Sequence, residues 1–190
     1  PLYKDNLHFF NLYTEKTSEP KRILDVGCGL GFLLSAVNDS WDKYAIELSD
    51  YCIKHIKDNN KDGVTVNSER IEDSHFENDY FEVIYFYHVI EHIDNVHGVM
   101  SNLVRMLKPG GLLIISTPNI ESFVAKRFEG NYRLLGAAHI LMWSKQTLLK
   151  LLKQYNLYCE KINYPYFRTD FFRWKFIRRL FDRTKISPPF

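Results

Sequence analysis

From residue 21 onward, short apolar runs alternate with stretches of helical spacing. Runs at 22–26, 44–47, 64–66, 81–87 and 112–116 read as strands. The run Phe81-Glu82-Val83-Ile84-Tyr85-Phe86-Tyr87 is almost continuously apolar or aromatic, as a strand buried on both faces should be. Helices are predicted at 32–38, after Ser49 or Asp50 as a cap, and at 94–107, where Pro109, Gly110 and Gly111 stop the helix. Strands that alternate with helices imply an α/β, doubly wound, mostly parallel sheet with right-handed crossovers in a single domain. After Thr117 the alternation breaks. Residues 118–143 form an irregular, aromatic-rich stretch, followed by a predicted helix at 144–155 and a strand at 157–162. Residues 1–20 are expected to be a helical lead-in, 21–165 the main domain, and 166–190 a basic aromatic tail. In that tail a helix over 171–183 would gather Phe172, Phe176, Ile177, Leu180 and Phe181 on one face.

Composition narrows the class. The chain has 190 residues, 45% hydrophobic and 25% charged, which suits one globular domain. Residues 1–10 show no basic segment followed by a long apolar one, and no run approaches a membrane span. The three cysteines, Cys28, Cys52 and Cys159, are few, odd in number and far apart. They argue against a disulfide framework or a cysteine zinc site and for a cytoplasmic setting. The net charge of +2 is uneven: residues 168–190 carry seven Lys/Arg against two Asp, a local +5, which leaves the rest at −3. The sequence assigns no oligomeric state.

The densest chemical signal is Leu24-Asp25-Val26-Gly27-Cys28-Gly29-Leu30-Gly31-Phe32, which leaves a strand and opens toward a helix. Glycines let the chain turn sharply and let a ligand approach. A doubly wound sheet binds ligands at this carboxyl edge. A dinucleotide fingerprint would need glycine at 32, where this chain has Phe32, with its third glycine at Gly31. Asp25, just before the loop, suits a ligand carrying an ammonium group better than a pyrophosphate. Glu47, at the end of the second strand, can accept hydrogen bonds from two ribose hydroxyls.

Taken in order, the glycine stretch, Glu47-Leu48-Ser49, Phe81-Glu82-Val83-Ile84 with Glu91-His92-Ile93, and Leu107-Lys108-Pro109-Gly110-Gly111 resemble the motifs of class I S-adenosylmethionine-dependent methyltransferases. The similarity spans roughly residues 20 to 165 and is greatest to the branch that includes the ubiquinone-pathway O-methyltransferases. The resemblance implies a seven-strand Rossmann-like methyltransferase fold and S-adenosyl-L-methionine as cofactor. It implies a cofactor site made of Asp25, Gly27, Cys28, Gly29, Gly31, Glu47, Leu48, Ile71, Tyr87 and His88. The methionine end would lie over Gly27 to Gly31, the Ile71 backbone would face the adenine, and His88 would lie near the methyl group. Where relatives often carry an acid for the adenine amino group, this chain has Arg70, flanked by Glu69 and Glu72.

Methyl transfer displaces a sulfonium, so the protein must align the acceptor and, for a hydroxyl, remove a proton. Histidine has the right acidity, and His92 and His139 are the candidate bases. Tyr132, His139, Met142 and Trp143 are candidates to line the acceptor pocket. His88, Glu91, His92 and His139 also form a nitrogen and oxygen metal set, similar to the Glu-x-x-Glu-His plus distant His of small-RNA 3′-end methyltransferases, with His88 in place of the first Glu. Glu-His after the fourth strand also occurs in metal-free relatives, where it orients a loop or helix start, so a metal-free histidine base and a structural role both stand ahead of the metal. The expected reaction is methylation of a hydroxyl, less readily an amine, on a small molecule or saccharide. The alternatives are a metal-assisted RNA ribose methyltransferase, disfavoured by the net-negative body, and a cofactor-binding scaffold without turnover. The tail is also a candidate for peripheral contact with an anionic membrane.

Overall fold

A computed structural model describes residues 21–59, 63–128, 139–163 and 171–179. The strands are β1 (Lys21–Val26), β2 (Trp41–Ile46), β3 (Thr65–Asn67), β4 (Phe81–Tyr87), β5 (Leu107–Pro118), β6 (Leu157–Asn163) and β7 (Phe171–Arg179). They form one sheet in the order β3-β2-β1-β4-β5-β7-β6. The first five run parallel. β7 is antiparallel to β5, and β6 is antiparallel to β7. The helices are α1 (Asp50–Asn59), α2 (Val96–Met106), α3 (Phe123–Phe128) and α4 (Lys145–Gln154). The doubly wound α/β reading holds.

Strand alternation divides the core between the two faces of the sheet. Leu24, Ile84 and Phe86 pack with Val99, Leu103, Leu148 and Leu152, which lie on α2 and α4. Ile23, Val83 and Tyr85 pack with Leu33, Leu34, Val37 and Trp41 on the other face. Fully burying such a side chain contributes roughly 1.5–3 kcal/mol, so both faces stabilise the parallel register. Helix ends follow local chemistry. Asn95 caps α2 through Gly98 N–H (3.0 Å), and Ser144 caps α4 in a reciprocal pair with Thr147.

Two expected elements differ. The helix expected at 32–38 is a single 3₁₀ turn, Leu34–Ala36, and Val37 is already extended. Leu33, Leu34 and Val37 are drawn onto the sheet, and Asn38 turns the chain by accepting Ser40 N–H (2.9 Å). The helix expected over 171–183 is replaced, for Phe171–Arg179, by β7. Phe172, Trp174 and Phe176 alternate with Arg173 and Lys175, which is a strand's period of two. Local spacing permits either form, and pairing with β5 and β6 decides it. The amphipathic helical face on which the membrane reading rested does not form over these residues, and Leu180 and Phe181 lie outside the described residues. The lead-in at 1–20 lies outside them too. Among the described residues no helix is long and apolar enough to cross a membrane.

Because β7 is the only strand recorded between β5 and β6, ending the chain at residue 170 should leave two unpaired strand edges. Thermal unfolding followed by circular dichroism should show loss of the cooperative transition, or a shift of many degrees. An unchanged transition would show that the β7 pairing does not support the sheet.

Candidate active site

The parallel order brings the ends of β1, β2, β4 and β5 to one edge. β1 ends at Val26, and the chain turns at Gly27, whose N–H donates to the Ile46 carbonyl (2.8 Å). Gly27 has φ +69°, and a Cβ there would sit 2.6 Å from Val89 Cγ2. Any other residue would be strained at this φ and would have to push the Val89 side chain aside. That contact also ties the glycine loop to the segment after β4. Gly29 (φ +56°) is different: nothing lies within 4 Å of where its Cβ would be, so the loop presents bare backbone to open space.

Two carboxylates flank this loop. Asp25 pairs with Ala45 on one side and Tyr85 on the other, so it sits between two strands and is 4% exposed. Burial, and then the charge of Glu47, push its carboxyl up to about 8. Glu47 follows β2 directly. Its Oε2 accepts Gly29 N–H (2.7 Å), and its Oε1 accepts Leu48 N–H and Ser49 N–H (2.9 Å each). A carboxylate offers about four lone-pair sites, and three are occupied. The bond from Gly29 is the one that crosses from another loop, and open space lies where a Gly29 side chain would be. Cys28 is half-buried in the loop, and burial pushes its thiol upward, so it packs as a neutral side chain.

Leu48 is exposed beside Glu47. Ile71 opens the 3₁₀ turn Ile71–Asp73. Its side chain is buried, and its carbonyl accepts Ser74 Oγ (2.9 Å) and Asn102 Nδ2 (3.2 Å). Arg105 on α2 donates to the Phe76 carbonyl (2.6 Å) and to Asn78 Oδ1 (3.1 Å), which pins the rest of this loop. Arg70 stands at the place often held by an acid and is exposed, with Glu72 and Asp94 each 3.5 Å away.

The other wall follows β4. Tyr87 stacks on Tyr85 (5.4 Å between centroids) and meets His88 edge-on (4.4 Å). His88 adopts φ +56°, costly for a residue with a Cβ, and is held there by its N–H donating to the Ser116 carbonyl (2.8 Å). His88 Nδ1 lies 3.1 Å from Glu91 Oε1. Glu91 is 1% exposed, and its Oε2 is buried with no hydrogen-bond partner among the described residues. The Glu91 carbonyl accepts Ile140 N–H (2.8 Å) and Leu141 N–H (3.0 Å), so the segment before α4 docks on this turn. The docking sets His139 beside His92, with ring centroids 4.8 Å apart. The sequence named His88, Glu91, His92 and His139, and the structure gathers all four.

Trp143 is buried, its indole N–H has no hydrogen-bond partner among the described residues, and its backbone forms a bridge with that of Asn119. Thr117, not singled out from sequence, is fully buried, its hydroxyl without a hydrogen-bond partner among the described residues, next to Ser116, the strand partner of Tyr87. A polar residue closing the apolar run of β5 was the available signal. Met142 is half-buried next to Trp143. Tyr132 lies outside the described residues.

A family model described as a methyltransferase domain matches residues 1–162. The ubiquinone biosynthesis O-methyltransferase of Rickettsia bellii is 33% identical over 147 residues, covering 72% of this chain and 57% of that protein. The chain thus spans little more than half the length of that relative. Among solved structures, an S-adenosylmethionine-dependent methyltransferase from Mesorhizobium loti aligns with TM-score 0.70 at 16% identity, over 92% of this chain and 99% of that one. Another from Archaeoglobus fulgidus aligns with TM-score 0.68 at 20% identity, over 86% and 71%.

The raised acidity constant of Asp25 fixes a sign. The unfolded chain loses this proton near the ordinary carboxylate value of 3.8, and the folded protein loses it near 8. Between those values the folded state holds more protons, so this group's contribution to stability falls as pH rises. Melting temperatures measured from pH 5 to pH 8 should decline, and Asp25→Asn should flatten that decline. An identical slope in the variant would show that Asp25 does not titrate in this range.

Proposed function

The chain belongs to the methyltransferase-domain family, in its class I S-adenosylmethionine-dependent branch, and we propose that it transfers a methyl group to a hydroxyl on a small molecule or saccharide. The observation that carries this reading is the pairing, on one sheet edge, of the Asp25–Gly29–Glu47 set with the His88–Glu91–His92–His139 cluster, joined where Val89 meets Gly27. The first set suits a ligand with an ammonium group and a ribose diol. Its geometry answers the chemistry of S-adenosylmethionine: Glu47 for the diol, the bare Gly29 backbone for the methionine end, and Asp25 for the positive charge. The cofactor's contribution is an electrophilic methyl group on sulfur. The second set supplies what a hydroxyl acceptor lacks, which is a way to shed its proton. A neutral imidazole of His92 or His139 can take that proton while the acceptor oxygen forms the new bond to carbon and the electron pair of the broken carbon–sulfur bond goes to sulfur. Resemblance to an O-methyltransferase of Rickettsia bellii supports hydroxyl over amine. Thr117 and Trp143, whose buried donors have no partner among the described residues, are candidates to orient the acceptor.

Isotope transfer from methyl-labelled S-adenosylmethionine to phenolic, catecholic and saccharide hydroxyls tests the reading, alongside calorimetry with S-adenosylhomocysteine. Glu47→Ala should weaken cofactor-product binding by ~2 kcal/mol or more, through loss of charge-assisted hydrogen bonds. His92→Ala and His139→Ala should leave that affinity within threefold and lower turnover by about 10²–10⁴ in at least one case. Absence of binding by folded wild-type protein, or full turnover in both histidine variants, contradicts it.

A further inference from the structure

Glu91, His92 and His139 each offer one ligand atom, and those atoms all lie within 4.8 Å of one another. Glu91 and His92 belong to the 3₁₀ turn Ile90–His92, and His139 comes from the segment before α4. Two backbone hydrogen bonds to the Glu91 carbonyl hold the segments together, so their spacing is set by main chain rather than by chance side-chain contact. Ligands around a small divalent cation stand roughly 3 Å apart, given bonds of about 2.0–2.2 Å. Glu91 is buried, His139 half-buried and His92 exposed, so the set runs from the core to the surface.

The Glu91 carboxylate supplies an independent observation. It is 1% exposed, its Oε1 is engaged by His88 Nδ1, and its Oε2 is buried with no hydrogen-bond partner among the described residues. A buried carboxylate oxygen with nothing to meet it is costly, and the usual remedies are a paired charge or a metal. Two imidazole nitrogens and one carboxylate oxygen form a donor set suited to divalent transition-metal cations, and three protein ligands leave coordination positions open for a substrate. We propose that Glu91, His92 and His139 bind a divalent transition-metal cation of the zinc or manganese type, with His88 as the outer partner that orients the Glu91 carboxylate.

The binding claim stands on these residues alone. Its chemical use deepens the hydroxyl reading given above. In place of the histidine-base route given above, the cation would act as a Lewis acid on the acceptor oxygen and ease release of its proton to solvent, and His92 and His139 would serve as its ligands. The oxygen then forms its bond to the methyl carbon as the carbon–sulfur bond breaks with its electron pair going to sulfur. An acceptor with two neighbouring oxygens would fill two open positions, so vicinal diols and catechols are the favoured class.

Protein stripped with a chelator should be titrated with Zn²⁺ and, separately, Mn²⁺ by calorimetry, and with Co²⁺ by visible absorption. The expected result is one equivalent of at least one of these cations and cobalt ligand-field bands. Affinity should fall at least tenfold in Glu91→Gln and in His139→Ala, with the thermal transition retained. If Glu91→Gln fails to fold, His92→Ala, at an exposed position, serves in its place. No stoichiometric binding by the folded protein, or equal affinity in the variants, overturns the proposal. Affinity for S-adenosylhomocysteine, measured on the same samples, tests the methyltransferase reading separately. Intact affinity and full methyl transfer in chelator overturn the cation and leave that reading standing.

Discussion

Asp25 is paired on both sides, to Ala45 of β2 and to Tyr85 of β4, and this central position governs the site. A carboxylate in the middle of a parallel sheet is cut off from water, and Glu47 adds like charge, so its proton is held up to about 8. Such a placement is unfavourable for stability by itself. In the proposed function it would become useful when a cationic ligand arrives at the strand end, because the ligand's charge would offset the desolvation that burial imposes. The same parallel register aligns the ends of β1, β2, β4 and β5. The loop with Gly27 and Gly29, the Glu47 carboxylate, the His88 turn and Thr117 therefore share one edge without any long-range loop having to fold over.

Hydrogen bonding then sorts these groups into fixed and exchangeable ones. Glu47 is anchored by Leu48 and Ser49 N–H groups on its own loop, so its position does not depend on a ligand. Its third bond, from Gly29, crosses to another loop and is the one that the proposed function would exchange for a diol. On the far wall, Glu91 acts through backbone and side chain together. Its carbonyl docks residues 140 and 141, and its carboxylate engages His88. One buried residue thus ties His88, and through residues 140 and 141 the neighbouring His139, to the turn after β4, while its second carboxylate oxygen has no hydrogen-bond partner among the described residues.

Much of this was legible from sequence because it is local. Leu24 to Gly31, Glu47 and the Glu91-His92 pair lie at strand ends whose apolar runs are short and well bounded, and spacing alone puts them on one edge. His139 could be tied to them only through the resemblance to a known ligand pattern; the physical link is a pair of backbone hydrogen bonds, which no periodicity records. The segment 171–179 misled for a related reason. Its aromatic and basic residues fit a helical face and a strand almost equally, and the choice was made by the partner strands, far away in sequence. The helix at 32–38 shrank because Leu33, Leu34 and Val37 gain more by covering the sheet than by completing a second turn. Thr117 carries no motif, and only its burial without a partner marks it.

A crystal structure with S-adenosylhomocysteine bound tests the central claim, that one sheet edge joins a cofactor half to an acceptor half. The ribose diol should bond to Glu47 with the Gly29 N–H contact broken, and the sulfur should face the open side bounded by His88 and the Glu91-His92-His139 cluster. A ribose placed away from Glu47, or a sulfur turned from that cluster, would contradict the account.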